Sequence, residues 1–484
     1  MSGETETREK HAGNENEREN ERENPNPSSK RVSDAVLIDP KDGKAIRSMI
    51  YRLAGPSLVE MLLINFAQMM NMIMVGRIGA EAVATVGLTS QPYLLLLVLF
   101  VALNTGTTVI VARAVGSGNV EEANQAAGQA FLLNILLSVA VVALSVLNAR
   151  WLLSAMGANE EVIGHGLTYA RITFLSIGFT TISSVLSAIL RGAGDTRTPM
   201  KINVVSNAVA VALGLPLIYG FAGFLGMGVT GAAAASITAQ LIATAWLVSV
   251  MVSGHYMVRL RWKDVTRFNS AIVMRVLKIG LPTSAEQLIM RLGIATFVKI
   301  SAGLGTVALA ANQLVTSVIG LSFMPGMAFA VAASTLVGQA LGAQKPELAE
   351  TYVWQVRKFG MVVAGIMGLV FMLFAPYILM LYTGDRHIID AGTLALRIVG
   401  FIQVSQASQF ILGGALRGAG DTRYPLYSTL IGVWGVRVVL SLLFVQGLGW
   451  GMAGLWSAVA LDQFLRSNLI YWRFKRGNWK RIRI

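Results

Sequence analysis

From about Ile46 onward, long apolar segments alternate with short polar connections, and this pattern constrains the fold more than any other feature. A helix needs about 20 apolar residues to cross the ~30 Å hydrocarbon core of a bilayer. Each apolar segment is long enough to cross this layer as a helix, so an all-α integral membrane protein is expected. Twelve transmembrane helices are predicted, at about 50–75, 83–111, 127–148, 167–189, 199–221, 228–252, 279–301, 309–337, 358–382, 391–415, 424–445 and 452–472.

The composition agrees with this class. Charged residues make up only 14% of the 484, against roughly 25% in soluble proteins. The absence of cysteine excludes disulfides, thiolate metal sites and cysteine nucleophiles. No nucleophile with a nearby base and no cluster of metal ligands is evident, so neither an enzyme nor a bound cofactor is expected.

The placement of the basic residues predicts the topology. A net charge of +14 would suit a nucleic-acid partner, but in a membrane protein excess Lys and Arg marks cytoplasmic loops. One set of alternate connections and the carboxyl-terminal segment contain most of these residues, whereas the opposite set contains only Arg77, Arg150 and Arg386. Both termini are therefore predicted to be cytoplasmic, and no nucleic-acid partner is expected.

An internal repeat divides the chain in two. The segment LRGAGDTR at 190–197 recurs unchanged at 416–423, and we call the distance along the chain between these copies the repeat offset. Because each half has six helices, both enter the membrane from the same side and are related by a pseudo-twofold axis along the membrane normal, as in some secondary transporters. The predicted parts are a disordered polar tail at 1–42, a six-helix lobe at 43–253, a cytoplasmic linker at 254–278 with an amphipathic helix near 265–277, and a six-helix lobe with a basic tail at 279–484.

Four features make the chain resemble the MATE family of multidrug and toxic compound extrusion transporters. They are the plan of two six-helix halves, MVGRIGAEAVATVGL at 74–88, VGQALGA at 337–343 and the paired LRGAGDTR segments. The resemblance covers essentially all of 46–472. It implies an antiporter that exports organic cations and amphipathic drugs through a cleft between two lobes, driven by a sodium or proton gradient.

The chain departs from the family pattern at three positions where the resemblance implies cation-binding carboxylates. Asn71 stands where many members carry an aspartate in the first helix, and Leu215 stands where some carry one before the proline of the fifth helix. Met290 falls at the position of an acid in the seventh helix of another branch. The coupling residues are therefore sought among the acids that this chain has.

Glu60 is the first candidate for ion coupling. A charged group at the centre of a membrane helix costs at least about 2.5–3.5 kcal/mol, so such a residue is a functional candidate. Gln68 and Asn71 share its helical face within an arc of roughly 80°, and Asn65 flanks that arc. Apart from Arg171, its half of the sequence shows no obvious basic partner, which favours Glu60 as the group that binds a proton or sodium ion. The alternative is that this polar stripe only hydrogen-bonds neighbouring helices.

Glu286 and Asp462 are the ion-coupling candidates of the second half. Arg291, Arg437 and Arg466 are expected at membrane depth, and Asp462 can pair with Arg466 four residues later. A paired carboxylate keeps its charge at neutral pH and is a poor proton carrier. A structural role for both acids is therefore an equal alternative.

Substrate contacts are predicted on the first and seventh helices. Flexible methionines suit a promiscuous apolar site, and an indole ring can stack on a cation. The alternative for each residue is contact with lipid or a neighbouring helix. The predicted substrate-binding residues are Asn65, Met69, Met72, Gln287, Met290, Arg291 and Trp434.

Pro56 and Pro282 are predicted hinges, because each removes a backbone hydrogen bond beside one of the two glutamates. A fixed bend is the alternative. In the LRGAGDTR segments, Asp195 and Asp421 are expected to cap the helices that follow.

Together these observations predict a cation-coupled antiporter that exports amphipathic or cationic molecules by alternating access. It is expected to be a multi-pass protein of the cytoplasmic (inner) membrane, surrounded by lipid and monomeric. A flippase of lipid-linked oligosaccharides is the alternative, and it would use the arginines at 291, 437 and 466 to bind pyrophosphate.

Overall fold

The computed structural model describes residues 38–484 except 222–223, 255 and 483, so most of the predicted tail lies outside the described residues. The described chain contains twelve long helices, and each coincides closely with one predicted span. They are α1 (Gly43–Gly76), α2 (Ala80–Gly116), α3 (Val120–Leu147), α4 (Glu160–Gly192), α5 (Arg197–Tyr219), α6 (Val229–Val252), α7 (Ser270–Ala302), α8 (Thr306–Gly342), α9 (Pro346–Met380), α10 (Arg386–Gly418), α11 (Arg423–Gly447) and α12 (Gly451–Lys475).

Ten of these helices are long and apolar enough to cross a membrane by length and composition. The two that fall outside this group, α7 and α12, are the ones that carry the interior charges Glu286, Asp462 and Arg466, all of which are buried. Charged residues of spanning helices normally face the protein interior in this way. Between α5 and α6, the strands Gly220–Phe221 (β1) and Phe224–Leu225 (β2) form a short antiparallel hairpin.

The linker between the halves differs from the prediction. No separate amphipathic helix forms over 265–277 in the described residues: a short helix covers Trp262–Thr266, and α7 begins at Ser270. The Asn269 side chain accepts hydrogen bonds from the first amides of α7 and so fixes its start. Gln129 of α3 donates to the backbone oxygens of Asp264 and Arg267, at 2.7 and 2.8 Å. The linker is therefore held against the first half.

The halves meet through close helix crossings at one end of the bundle. Ile46 near the start of α1 and Trp479 after α12 share one core cluster there, so this end holds both ends of the helical region, and we call it the basic end. A Cβ atom at Gly342 would lie 2.1 Å from the backbone oxygen of Arg113. At the equivalent position of the first half, a Cβ at Gly116 would lie 2.0 Å from the oxygen of Gln339. These reciprocal contacts bring α2 and α8 together about the pseudo-twofold axis.

We call the line of contact between α2 and α7, and the equivalent line between α1 and α8, a seam. Near the basic end the α2–α7 seam is also closed by backbone contact at a glycine, and it opens further along. A Cβ at Gly280 would lie 1.9 Å from the backbone oxygen of Ala102, so only glycine allows this approach. One turn further along α7, Ser284 donates to the oxygen of Val98, at 2.8 Å. Val98 is buried, whereas Gln91, two turns closer to the start of α2, is exposed. The halves therefore part beyond Val98, toward what we call the open end.

The predicted hinge prolines lie inside continuous helices. Pro56 leaves the backbone oxygen of Arg52 without its usual helical donor, and Thr196 Oγ1 donates to that oxygen at 3.3 Å. Pro282 lies within α7. Helical backbone is interrupted instead at Phe374 in α9, shortly before Pro376. A hinge role for Pro56 and Pro282 stays a prediction.

Candidate transport site

Glu60 is buried on the side of α1 that packs against the rest of the first half. Its carboxylate accepts a hydrogen bond from Asn203 Nδ2 of α5, at 2.7 Å. Arg191 Nη1, in the last turn of α4, lies 3.5 Å from Glu60 Oε1. The expectation that Arg171 is the main basic candidate near Glu60 is therefore wrong: Arg171 is exposed, and Arg191 is the partner. Residue 191 lies beyond the predicted span but inside α4, because hydropathy locates a helix better than its ends.

Glu286 lies in an equivalent site of the second half. Arg417 Nη2 donates to both of its oxygens, at 2.8 and 3.0 Å, and Thr429 Oγ1 donates at 3.2 Å. The repeat offset relates each of these three residues to its counterpart in the Glu60 site. The repeat has therefore duplicated a buried site made of an acid, an arginine and a neutral donor.

The two acid sites differ in how firmly the arginine holds the carboxylate. Arg417 is within direct hydrogen-bond distance of Glu286, whereas Arg191 is an ion-pair neighbour of Glu60 at a longer distance. Charge-assisted hydrogen bonds at about 2.7–2.9 Å are the strong ones. Glu60 is therefore the acid whose negative charge is less firmly compensated.

Asp462 is fully buried between two arginines. Arg466 Nε donates to it at 2.7 Å, so the predicted pair forms, and Arg437 Nε donates at 2.9 Å. A Cβ at Gly432 would lie 2.3 Å from Asp462 Oδ1, so α11 leaves room for the cluster. The helix is widened into π-helical turns at 430–438. Asp462 is thus bound to two arginines at once, which favours a structural role.

The polar residues of α1 divide between two faces. Asn71 is half-buried and lies about 20° from Glu60 around the helix, whereas Gln68 and Asn65 are exposed and turn further from it. Gln68 is eight residues from Glu60, about 12 Å along the axis. The structure therefore does not gather Glu60, Gln68 and Asn71 around one ion. Asn65 Nδ2 donates to the Met61 backbone oxygen, at 3.0 Å.

The predicted substrate residues are distributed over α1, α7 and α11. Met69 and Met72 are exposed on α1, whereas Gln287, Met290 and Arg291 are half-buried on α7. The indole of Trp434 donates to the Ile289 backbone oxygen, at 3.3 Å, and so packs on α7. The α1 and α7 residues thus lie on equivalent helices of the two halves, whereas Trp434 packs within the second half.

Reciprocal hydrogen bonds close the basic end, and the sequence interpretation missed them. Gln339 of α8 donates to the backbone oxygen of Gly192 at 3.1 Å, and Arg113 of α2 donates to that of Ala419 at 2.9 Å. The repeat offset relates Gln339 to Arg113, which is the signal that could have found them. Thr335 of α8 also donates to the oxygen of Arg191, at 3.1 Å.

The LRGAGDTR segments therefore hold the two halves together at the basic end. Asp195 accepts from the amides of Arg197 and Thr198, so its predicted capping role is confirmed. Asp421 instead forms an ion pair with Arg473 of α12, at 2.7 Å. In the described part of the chain, no group of three or more His, Asp or Glu side chains is placed to bind a metal ion.

Comparison with known proteins agrees with this architecture. The chain is 30% identical to "Probable multidrug resistance protein NorM" of Thermotoga maritima over 437 residues, which cover 90% of this chain and 94% of the relative. It is 25% identical to "Uncharacterized transporter YisQ" of Bacillus subtilis, covering 89% and 94%. A solved structure of a MOP superfamily transporter from Pyrococcus furiosus superposes with a TM-score of 0.84 at 23% identity, covering 93% of this chain and 98% of that one.

A second solved structure, an outward-facing conformation of a multidrug resistance MATE family transporter, gives a TM-score of 0.85 at 23% identity, over 93% and 98% of the two chains. The MatE family profile matches this sequence twice, at residues 56–219 and 282–443. The two matches begin at the equivalent prolines of the two halves. The protein is thus a multi-pass membrane protein that belongs to the MATE family of transporters.

Proposed function

We propose that this protein is a secondary antiporter that exports amphipathic small molecules, cationic drugs included, from the cytoplasm. Relatives named multidrug resistance proteins support this substrate class. We place it in the cytoplasmic membrane, and the basic loops support an orientation with both termini inside. In that orientation, the basic end faces the cytoplasm and the open end faces outward. A monomer is sufficient, because both acid sites and the cleft belong to one chain.

The observation that carries the proposal is a cleft closed at one end by reciprocal contacts and open at the other. Gly280 and Gly342 allow backbone contact between the halves near the basic end, and the seam parts beyond Val98. Two halves in close backbone contact near one end can rock about the central crossing and expose the same surfaces alternately to each side. The exposed methionines and amides of α1 then meet substrate from either side.

Ion coupling is proposed at Glu60. The carboxylate lies beside Arg191, whose backbone oxygen accepts a hydrogen bond from Thr335 of the other half. A proton or sodium ion at Glu60 would neutralise its charge and release Arg191 from the ion pair, which would change the last turn of α4 at the closed end. Glu60 thereby connects ion binding to the contact between halves.

The ion gradient supplies enough energy for this exchange. One charge that crosses 100 mV releases about 2.3 kcal/mol. At about 1.4 kcal/mol per factor of ten, this supports a roughly fifty-fold concentration gradient of exported solute. Neither ATP nor a resident cofactor is required.

A flippase is the weaker candidate. Two of the arginines that favoured it, Arg437 and Arg466, are bound to Asp462 and so are not available to a pyrophosphate group. Arg291 is the one of the three without an acid partner in the described structure. We therefore favour export of small amphiphiles.

The proposal is tested by dye accumulation in everted membrane vesicles that contain the protein, with pH and sodium gradients imposed separately. Dye uptake that depends on one of these gradients supports the antiporter and identifies the ion. Uptake that needs ATP, or no uptake under either gradient with well-expressed protein, overturns it.

A further inference from the structure

Arg291 lies where the seam between α2 and α7 opens. These helices run antiparallel, and Ser284 of α7 is hydrogen-bonded to Val98 of α2. Seven residues make nearly two full turns, so Arg291 on α7 and Gln91 on α2 face the same seam about 10 Å further toward the open end. Val98 is buried and Gln91 is exposed. Arg291 is therefore among the first polar residues of α7 above the closed part of the seam.

The equivalent seam between α1 and α8 is neutral. The repeat offset relates Arg291 to Asn65 and Gln91 to Ser317, and both equivalents are exposed. The two edges of the cleft therefore differ by one positive charge. The duplicated fold does not require an arginine at this place, because the first half builds the same seam with an amide.

Arg291 differs from the other interior arginines of its half in having no acid partner. Arg417 is bound to Glu286, and Arg437 and Arg466 are bound to Asp462. Among the described residues no acid lies within ion-pair distance of Arg291, and its Nε is buried without a hydrogen-bond partner. Glu286 projects about 140° away around α7. A buried guanidinium N–H without an acceptor is costly, and a ligand that supplies an acceptor would remove that cost.

Apart from Gln91 and Gln287, the side chains around Arg291 on this seam are apolar. Leu288 and Ile294 on α7 and Leu95 on α2 are all 43% exposed along the open part of the seam. A guanidinium presents planar, paired donors that match carboxylate, sulfonate and phosphate oxygens. The combination suits a molecule with one anionic group and a hydrophobic body.

We propose that Arg291 binds an anionic group of the transported amphiphile, so that substrates with a carboxylate, sulfonate or phosphate are bound in preference to simple cations. This inference rests on the proposed function and narrows its substrate class. Arg291 acts in binding: its guanidinium pairs with the anionic group at the mouth of the seam while the apolar body lies along α2 and α7.

Binding is measured directly on the purified full-length protein in detergent, by fluorescence polarisation with rhodamine B and its ethyl ester. The two dyes differ in one free carboxylate. We expect tighter binding of rhodamine B, and we expect Arg291→Asn to weaken it about tenfold, the loss of one charge-assisted pair. Binding of the ester should change little, and Arg291→Lys should retain part of the preference.

Lys299→Asn is the matched control, because it removes one positive charge from the exposed surface of the same helix two turns further along. It should leave binding of both dyes unchanged. Equal affinity of the two dyes for the unaltered protein, or equal loss for both in Arg291→Asn, overturns the inference. Correct folding of each variant is checked by its elution as a single species.

Transport in proteoliposomes separates this inference from the proposed function. Selective binding of rhodamine B without gradient-driven transport supports the anion site and counts against the exporter. Gradient-driven transport of the ester alone supports the exporter and overturns the anion site. If the protein moves a fluorescent phosphatidylglycerol between leaflets in an Arg291-dependent way, the anionic group is a lipid headgroup, and the site is again supported.

Discussion

Glu60 of α1 lies 3.5 Å from Arg191 of α4, and its repeat equivalent Glu286 lies only 2.8 Å from Arg417. The same two positions thus form a tight ion pair in the second half and a looser one in the first. When the ion pair is looser in one copy of a duplicated site, that copy can bind an ion while the tighter copy stabilises the fold.

Glu60→Gln should abolish gradient-driven export, because the amide cannot exchange a charge while Asn203 and Arg191 remain in place. We expect at least a tenfold loss of dye accumulation, with normal expression. Glu160→Gln is the control, since Glu160 pairs with Arg150 on the exposed surface. Export by Glu60→Gln at the rate of this control would show that coupling occurs elsewhere.

Glu286→Gln should mainly lower stability. It leaves Arg417 half-buried without its counter-charge, at a cost of about 1–3 kcal/mol, so the midpoint of thermal unfolding in detergent should fall. Adding Arg417→Gln should restore part of the lost stability, because the unpaired positive charge is then removed. A stable Glu286→Gln protein that has lost only ion-driven transport would place coupling in the second half instead.

The twelve helices and the twofold plan could be predicted because they depend on long-range periodicity. Apolar length fixes the spans, and the repeat offset relates Pro56 to Pro282 and Glu60 to Glu286. The partners of these glutamates could not be predicted in the same way. Arg191 and Arg417 stand at the ends of α4 and α10, where a hydropathy pattern stops but the helix continues and a long side chain reaches back.

The ion pair inside α12 could be predicted from the sequence because its two residues are neighbours on one helix. Asp462 and Arg466 are four residues apart and meet on one helical face. Arg437 joins them from α11, which requires knowledge of which helices pack together. The closure of the basic end by Gln339 and Arg113 depends on contact between halves, and no local pattern in one sequence reports such contact.

Asp264 in the linker should make stability depend on pH. Its side chain is buried, and burial raises the pKa of its carboxyl above the ordinary value; nearby Glu121 acts in the same direction, while Arg261 and Lys263 oppose it. The folded state therefore binds the proton more tightly than the unfolded state. Stability is lost as pH rises from about 4, the unfolded pKa, through the raised folded pKa, and the full penalty is present at neutral pH.

Asp264→Asn removes this penalty. The substituted protein should unfold at a higher temperature than the unaltered protein at pH 7, and the difference should shrink toward pH 4. Thermal unfolding in detergent across this range measures it. Equal midpoints of the two proteins at pH 7, or a difference that grows as pH falls, would contradict the assignment.

Gly342→Leu should shift the protein away from the conformation in which the basic end is closed. A Cβ at this position would meet the backbone oxygen of Arg113 at 2.1 Å, so a larger side chain forces α2 and α8 apart at the basic end and closes the cleft at the other.

The change in access to the cleft can be measured by labelling. The sequence has no cysteine, so a single introduced Gln68→Cys is the only thiol of the protein, and its labelling rate reports how exposed the cleft is. In whole cells, a membrane-impermeant maleimide should label Gln68→Cys at least several times more slowly when Gly342→Leu is also present. Gly384→Leu, at a position with open space around it, serves as the control and should leave the rate unchanged. Equal labelling rates in all three proteins would show that the contact at Gly342 does not control access to the cleft.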